Sequence, residues 1–252
     1  MKDKLETLKR LARFDADYML GRTWLVGIDE AGRGALAGPV CAGAVAISAE
    51  FYKDPSHLTL LDGLNDSKKL TPKIRAELFA RLEHLKAAGL IDFEAGFASV
   101  DEIEKLNILV ATKTAMARAC SAVDARLGLK LRGAGTVATL FGESPIDISL
   151  ANVLIDGNPV KNFPYAHKAV VKGDASSLAI AAASIVAKVG RDRLMENLAL
   201  TYPRYGFEVH KGYGTASHLQ ALMLYGASEI HRPSFLKKLR ADPLKSDQPE
   251  LF

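Results

Sequence analysis

Residues 25–45 read LVGIDEAGRGALAGPVCAGAV, and we expect the fold of the chain to be organised around them. An apolar run over residues 24–28 ends on two adjacent acids, Asp29 and Glu30, and a glycine-rich loop leads to a second apolar run over residues 40–47. Short apolar runs bounded by Gly and Pro predict buried strands, here a hairpin pair. Two carboxylates at a strand end, beside exposed loop amides, suit a divalent metal next to a phosphate. The same pattern is also typical of a capped turn.

The composition is that of a globular chain that can bury a sizeable core. Its 252 residues are 48% hydrophobic and 25% charged, which fits one large domain or one domain with an appendage. The net charge is only +4, but residues 204–245 alone carry seven Lys or Arg and three Asp or Glu. This local excess is expected of a surface that faces nucleic acid, and a solvated helix face would explain it equally well.

The two cysteines, Cys41 and Cys120, are flanked by apolar residues and form no CxxC pair, which is typical of small core residues in a reducing compartment. The longest uncharged run, residues 34–49, contains a proline and is too short to span a membrane. Residues 1–15 mix acids with bases and lack the continuous apolar core of a signal peptide. We therefore expect a cytoplasmic protein.

Five strands are expected in one mixed sheet. They are placed at residues 24–28, 40–47, 91–100, 152–155 and 167–171. Helical patterns alternate with them, which predicts an α/β fold in which helices cover the sheet. Residues 128–151 contain several glycines around the β-like run TVATLF, so we expect an irregular surface excursion or a hairpin there.

The helices are predicted from apolar spacing and from residues that cap helix ends. Thr71 and Pro72 are typical of an N-cap and a first helical position, and the polar residues 50–70 before them are expected to be a connection. The predicted helices are an amphipathic one in residues 1–22, one that starts at Thr71 and stops at Gly89, a long one over residues 101–127, an Ala-rich one between Asp174 and Tyr202, one over residues 216–225 and a basic helical tail.

Four acids stand where predicted strands end or helices begin: Asp29 and Glu30 after the first strand, Asp156 after the fourth and Asp174 before the Ala-rich helix. If the first and fourth strands are neighbours, Asp29 and Asp156 lie side by side, and carboxylates so crowded are stable only around a shared cation. Mg²⁺ is the expected ion, and two ions about 3.5–4 Å apart can activate water and stabilise a leaving phosphodiester oxygen. Taken separately, Asp156 is also typical of a turn and Asp174 of a helix N-cap.

Six sequence blocks follow one another between Trp24 and Phe235: GIDEAGRG, NDSKKLTPKIR, LIDGN, KGDASSLAIAAASIVAKVGRDRLM, YPRYGFEVHKGYGT and HRPSF. Together they resemble ribonuclease HII, the type 2 ribonuclease H. Type HIII enzymes are less similar, since they carry glutamate at the position of Asp174. The resemblance implies a ribonuclease H-like sheet with helices on both faces. We expect a helical extension (1–22), a ribonuclease H-like catalytic domain (23–201), a helical substrate-binding region (202–240) and a flexible tail (241–252).

The implied activity is hydrolysis of the phosphodiester on the 5′ side of a ribonucleotide, in RNA–DNA hybrids and in DNA duplexes that contain ribonucleotides. The products would carry 3′-OH and 5′-phosphate ends. The resemblance assigns catalysis and metal binding to Asp29, Glu30, Asp156 and Asp174, with Mn²⁺ or Mg²⁺ as the cofactor. Two other functions remain open: a different ribonuclease H-like nuclease, such as a junction resolvase, and a non-catalytic clamp-associated binding protein.

Substrate-binding roles are implied for Gly32, Arg33, Gly34, Tyr213, Lys68 and Lys69. The glycines match the family's Gly-Arg-Gly loop, whose backbone is expected to approach the minor groove and the 2′-OH. Arg33 can fork onto a phosphate. Tyr213 matches the family's junction-sensing tyrosine, whose ring would pack against the sugar of the following deoxynucleotide. The two lysines are either phosphate contacts or part of a solvated turn.

The last five residues, 248–252, read QPELF. They resemble the short peptide by which bacterial proteins dock on the replicative sliding clamp. Leu251 and Phe252 would fill an apolar pocket, and Gln248 would make a polar contact. A frayed chain end is the alternative interpretation. The expected partners are therefore nucleic acid and, through the tail, the clamp, with the chain itself a monomer.

Overall fold

The computed structural model describes residues 2–64, 70–139 and 142–241 of the chain. The strands are β1 (Trp24–Ala31), β2 (Val40–Ser48), β3 (Ile91–Ala98), β4 (Ala134–Thr139), β5 (Gly142–Asp147), β6 (Ala151–Asp156) and β7 (Lys168–Val170). A five-stranded sheet has the order β3-β2-β1-β6-β7, and β4 and β5 form a separate hairpin. The sheet is mixed, because β1 runs antiparallel to β2 and parallel to β6.

Helices cover both faces of this sheet. They are α1 (Lys2–Met19), α2 (Ala49–Lys53), α3 (Pro55–Leu60), α4 (Pro72–Ala87), α5 (Val100–Leu106), α6 (Ile108–Leu127), α7 (Leu178–Thr201), α8 (Phe207–His210), α9 (Ala216–Tyr225) and α10 (Pro233–Ala241). A short 3-10 helix, Gly173–Ala175, precedes α7. Among the helices so described, none is long and apolar enough to cross a membrane.

Side chains of β1 alternate between two helical layers. Leu25 packs in the core cluster that contains the α7 residues, and Val26 packs in the cluster that contains the α6 residues. Helix α7 lies very close to the sheet, since a Cβ on Gly27 would be 2.2 Å from the carbonyl carbon of Ala179. The alanine content of α7 therefore has a structural reason: only small side chains allow two backbones to approach so closely.

Helix α1 is attached to the core by Asp15, which is fully buried. Its Oδ2 accepts hydrogen bonds from the Tyr52 hydroxyl (2.7 Å) and from the backbone N–H of Ala179 (2.9 Å) at the start of α7. Leu8 and Leu11 are buried beside it, so the predicted amphipathic helix is confirmed. The segment that leads from Asp174 into α7 is thus fixed in part by the N-terminal helix.

The prediction of a polar connection over residues 50–70 is wrong for the described part, residues 50–64. Helices α2 and α3 form there, and Phe51 and Leu58 are buried in the main core. The Ser48 side chain accepts from Phe51 N, and the Asp54 side chain accepts from Ser56 N. Such local caps support short helices in sequences whose overall composition is that of a loop.

The single long helix predicted over residues 101–127 is also wrong, because α5 and α6 are separate helices. Asn107 lies between them with φ +71, and its side chain accepts hydrogen bonds from the backbone N–H groups of Leu109 and Val110. Leu106, which the apolar spacing of that predicted helix places on its buried face, is 42% exposed. The Asn107 side chain caps the second helix locally, so an apolar pattern can continue across a break between two helices.

The other main predictions are confirmed. The strand pair β1–β2 forms, residues 134–147 form the hairpin of β4 and β5, and β1 and β6 are neighbours. Helix α4 begins after Thr71, whose hydroxyl accepts from Ile74 N. Ile74, which the apolar spacing of this helix places on its buried face, is 39% exposed. The predicted α/β fold with a five-stranded mixed sheet is therefore correct.

Candidate metal centre and nucleic-acid interface

The strand register brings Asp29 and Asp156 together. Ile28 on β1 pairs with Ile155 on the parallel strand β6, and an aspartate follows each isoleucine. The neighbouring strand β7 then turns back through Lys172, which has φ +56, into the 3-10 helix that carries Asp174. Three acids that are far apart in sequence thus reach one end of the sheet.

The three aspartates form one group. Each offers a carboxylate oxygen, and these oxygens lie within 4.8 Å of one another. Asp29 is 5% exposed and the other two are half-buried. Backbone amides orient two of them: Glu30 N donates to Asp29 Oδ1 (2.7 Å), and Gly173 N donates to Asp156 Oδ1 (2.6 Å). A hard donor set of three negative oxygens fits a divalent ion such as Mg²⁺ or Mn²⁺.

Glu30, the fourth predicted acid, lies outside this group. Its Oε1 instead accepts from Arg33 Nη1 at 2.7 Å. Successive side chains of a strand point to opposite faces, so Glu30 and Asp29 diverge although they are adjacent in sequence. Glu30 nevertheless lines the same cleft as Asp156.

This cleft has a volume of about 580 Å³. Its polar lining includes Asp156, Glu30, Arg33, Lys113, Lys161, Asn158 and Asn162. Cations and amides beside a carboxylate group are the groups that bind phosphate and sugar oxygens. The sequence analysis missed Lys113 and Lys161; both lie on surfaces where a lysine is ordinary, and no motif distinguished them.

The Gly32–Arg33–Gly34 loop packs at Gly32 against the Arg191 side chain of α7. Gly32 has φ +87, and a Cβ there would lie 1.9 Å from Nε of the buried Arg191. Gly34 is different: it is exposed, and a Cβ built on it meets no atom within 4 Å. The first glycine is therefore required by the fold, whereas the second leaves backbone open to a ligand.

Two fully buried arginines hold this loop. Arg191 donates to the carbonyl oxygens of Pro39 (3.0 Å), Lys211 (2.8 Å) and Ala37 (3.0 Å). Arg232 donates to the carbonyls of Gly38 (2.9 Å) and Arg33 (3.1 Å). Burial lowers the pKa of Arg191 and lowers that of Arg232 to about 9. The sequence analysis did not single out either arginine. The available signals were that Arg191 lies in the Ala-rich helix α7 and that Arg232 lies in the block HRPSF.

Tyr213 lies beside the glycine loop. The carbonyl of Gly212 accepts from Leu36 N at 2.8 Å, which joins the two segments by their backbones. The half-buried Tyr213 ring lies 5.4 Å from Lys188 Nζ and 5.2 Å from the Arg191 guanidinium carbon. Among the other predicted site residues, Lys68, Lys69, Gln248, Leu251 and Phe252 lie outside the described residues.

A mixed five-stranded sheet with three grouped aspartates near the ends of its strands, beside a cleft that contains three cationic side chains, fits a metal-dependent nuclease of the ribonuclease H-like class. The family model described as ribonuclease HII matches residues 26–128 and 137–238. The chain therefore belongs to the ribonuclease HII family and is a metal-dependent endoribonuclease that acts on RNA–DNA hybrids. The unmatched residues 129–136 lie at the start of the predicted excursion.

Similar proteins carry the same description. A ribonuclease HII of Wolbachia pipientis wMel is 42% identical over 217 residues, which are 86% of this chain and 92% of its own length. One from Fusobacterium nucleatum is 45% identical over 217 residues, 85% of this chain and 86% of its own. One from Methylibium petroleiphilum is 46% identical over 209 residues, 83% of this chain and 88% of its own.

Solved structures support the fold. The ribonuclease H2 of Pyrococcus horikoshii OT3 has a TM-score of 0.57 and 24% identity, covering 87% of this chain and 100% of its own. A PCNA:RNase HII complex from Archaeoglobus fulgidus gives a TM-score of 0.58 and 23% identity over 82% of this chain and 93% of its own. Bst-RNase HIII in complex with Mn²⁺ has a TM-score of 0.60 and 16% sequence identity, covering 92% of this chain and 73% of its own.

Proposed function

We propose that the chain cleaves the phosphodiester on the 5′ side of ribonucleotides, both in RNA–DNA hybrids and where single ribonucleotides are embedded in duplex DNA. The products would be 3′-OH and 5′-phosphate ends. The observation that carries this proposal is the group of three carboxylates within 4.8 Å of one another, adjoining a cleft lined by cations.

Asp29, Asp156 and Asp174 would hold the metal, with Glu30 at the margin of the site. When bound, a pair of Mg²⁺ or Mn²⁺ ions supplies Lewis-acid stabilisation at the reacting phosphate and favours ionisation of the attacking water. The protein keeps its own carboxylates in place through the amides of Glu30 and Gly173. The Mn²⁺ complex of Bst-RNase HIII, which has a similar fold, supports this choice of ion.

The protein's cations would position the nucleic acid. Arg33 is 49% exposed even while it contacts Glu30, so its guanidinium has donors left for a phosphate. Lys113 and Lys161 line the same cleft and would contact further phosphates of the bound strand. Exposed Gly34 would bring backbone to the 2′-OH, the group that separates RNA from DNA.

Tyr213 would distinguish the residue that follows the ribonucleotide. Its ring is half-buried and lies close to two cations, so its direction is restricted before substrate binds. A ring packed against a deoxyribose would be obstructed by a 2′-hydroxyl at that position. The predicted result is a preference for RNA-to-DNA junctions over uniform RNA strands.

The decisive experiment is digestion of a duplex that contains one ribonucleotide, with Mg²⁺, with Mn²⁺ and with EDTA. We expect one metal-dependent cut on the 5′ side of the ribonucleotide and none in an all-DNA duplex. A four-way DNA junction serves as the control for a resolvase. Cleavage of that junction, with the ribonucleotide duplex left intact, would contradict the proposal.

For the tail, we propose that residues 248–252 dock on a replicative sliding clamp. The support is the sequence QPELF and the existence of a PCNA complex for a protein of similar fold from Archaeoglobus fulgidus. Removal of residues 248–252 should abolish binding to the clamp and leave cleavage of a short duplex unchanged. Equal clamp binding by the truncated protein would remove this part of the proposal.

A further inference from the structure

Three histidines lie together beside Tyr213, and none of them has a role in the proposed function. His210, His218 and His231 are 7%, 0% and 2% exposed. The rings of His210 and His218 are stacked with centroids 4.3 Å apart, and the Phe207 ring meets both edge-on. The surroundings of the imidazoles are therefore aromatic, and a charge there would be poorly solvated.

The contacts of His231 fix which of its nitrogens carries the proton. The backbone N–H of Ser228 donates to His231 Nδ1 at 2.9 Å, and Ser228 Oγ lies 2.8 Å from the same atom. A backbone N–H can only donate, so Nδ1 is an acceptor. The proton of the neutral ring is therefore on Nε2.

The tautomer of His218 is fixed independently, by its contact with Tyr213. Its Nδ1 lies 3.0 Å from the carbonyl oxygen of Tyr213, and since a carbonyl can only accept, Nδ1 carries the proton. The lone pair of His218 is then on Nε2, which lies 3.0 Å from Nε2 of His231. The two assignments agree at this contact, where one nitrogen donates and the other accepts. A single directed chain runs from Ser228 through His231 and His218 to Tyr213.

This chain of hydrogen bonds requires the imidazole rings of His218 and His231 to be neutral. Burial lowers the pKa of His218 and of His231 to about 4, so both are neutral at pH 7. Backbone contacts also fix the tautomer of the third imidazole, His210. Gly212 N donates to His210 Nδ1 at 3.2 Å, and His210 Nε2 donates to Tyr205 O at 2.6 Å. Each imidazole thus has one backbone donor or acceptor that decides its tautomer.

We propose that His218, oriented by His231, is a positioning residue that fixes Tyr213 for recognition of the substrate sugar. This inference rests on the role proposed above for Tyr213. The Tyr213 carbonyl accepts from Thr215 N (2.8 Å) as well as from His218, so both of its lone pairs are engaged. The peptide plane after Tyr213 cannot rotate without loss of a buried hydrogen bond, so the backbone that carries the Tyr213 Cβ is held in place, and the ring extends from it beside Lys188 and Arg191.

Two substitutions at one position separate the hydrogen bond from the volume of the ring. In His218→Asn the side-chain amide can donate where Nδ1 does, whereas His218→Ala has no donor. The readout is the ratio of kcat for a duplex with a single ribonucleotide to kcat for a long RNA–DNA hybrid. We expect His218→Ala to lower this ratio by about tenfold and His218→Asn by less than about threefold, which is the effect of one hydrogen bond. An unchanged ratio in folded His218→Ala would overturn the inference.

A measurement on the wild-type chain keeps the inference falsifiable if the variants do not fold. Long-range ¹H–¹⁵N spectra distinguish the two neutral tautomers of each of the six histidines. At pH 7, His218 should carry its proton on Nδ1, and His231 should carry its proton on Nε2. His218→Asn assigns the first signal. A proton on Nε2 of His218 would overturn the proposal directly.

Tyr213→Ala distinguishes failure of this inference from failure of the proposed function. If Tyr213→Ala lowers the kcat ratio and His218→Ala does not, only the positioning role of His218 is wrong. If Tyr213→Ala leaves the ratio unchanged, the proposed role of Tyr213 is wrong and the inference fails with it. Equal losses in Tyr213→Ala, His218→Ala and the double variant support both.

Discussion

Two regions of this protein gather buried or half-buried polar groups in opposite ways. Near the C-terminal ends of β1 and β6, strand register and the 3-10 helix after β7 place three aspartates of like charge within 4.8 Å of one another. Around the Tyr213 loop, Arg191 of α7, Arg232 and the three histidines bind backbone carbonyls and amides. The first group needs a cation from outside to offset the repulsion between its members, whereas most donors and acceptors of the second are paired within the chain, Arg232 Nη2 being the exception. Catalysis requires the former arrangement, and a fixed substrate-binding surface requires the latter.

The largest effect should come from the aspartates. Asp156→Asn removes one negative ligand, so we expect cleavage to fall by about 10³-fold or more through lost metal stabilisation. Without metal, the thermal midpoint should stay the same or rise, because repulsion between the carboxylates is relieved. Rates with Mg²⁺ and thermal melts with EDTA test both statements. Asp62→Asn, at an exposed acid away from the site, is the control, and a wild-type rate in Asp156→Asn would refute the metal assignment.

Substitution of a buried arginine should lower the stability of the fold, in contrast to substitution of Asp156. Arg191→Met leaves the carbonyls of Ala37, Pro39 and Lys211 without their buried donor, so we expect a loss of about 3–4 kcal/mol in the free energy of unfolding. Urea denaturation measures it. Arg193→Met on the exposed side of the same helix is the matched control and should change stability by less than about 1 kcal/mol. Equal losses would show that the buried contacts are not what stabilises this region.

A fall in pH should change the free energy of unfolding in opposite directions through the buried histidines and through Asp15. Burial lowers the pKa of His218 and His231 to about 4 from 6.5, so their contribution is lost as pH falls below about 6.5. Burial raises the pKa of Asp15 to about 6 from 3.8, so its contribution increases as pH falls through 6. Between pH 6 and 5 these three groups together bind about two protons in the unfolded chain and about one in the native protein, so stability should fall by about 1.4 kcal/mol.

The variant Asp15→Asn sharpens this measurement. Without the opposing carboxyl, the fall in unfolding free energy between pH 6 and 5 should become about twice as steep. Urea denaturation at both pH values provides the slope for each protein. If the wild-type protein were more stable at pH 5 than at pH 6, the assignment of neutral buried imidazoles would be incorrect.

The smallest effect on the fold is expected at Gly34. A Cβ there meets no atom within 4 Å, so Gly34→Ala should change stability by less than about 0.5 kcal/mol. The methyl group would nevertheless stand between the loop backbone and the minor groove, and cleavage should fall by about tenfold. Gly32→Ala is the contrast, since its Cβ would overlap Arg191 and stability should fall with activity. Wild-type activity in Gly34→Ala would show that this backbone does not contact the substrate.

The prediction of the fold was most accurate where a local pattern had one structural solution. Apolar runs bounded by glycine and proline gave β1 and β2, and Thr71 with Pro72 gave the start of α4. It failed where single residues outweighed the pattern. Asn107 interrupts an otherwise continuous helical sequence, and side-chain caps at Ser48 and Asp54 produce helices in a polar segment. Capping acts over three residues, so averaging over a longer window conceals it.

The sequence by itself determined the chemistry that is available: which acids follow predicted strands, where the Gly-Arg-Gly loop lies, and which blocks resemble ribonuclease HII. Only the tertiary structure decided which residues meet. It brings Asp29 to Asp156 and packs Arg191 against Gly32. The physical reason is that contacts between residues more than a hundred positions apart depend on sheet register and helix packing, and residue type alone does not encode either.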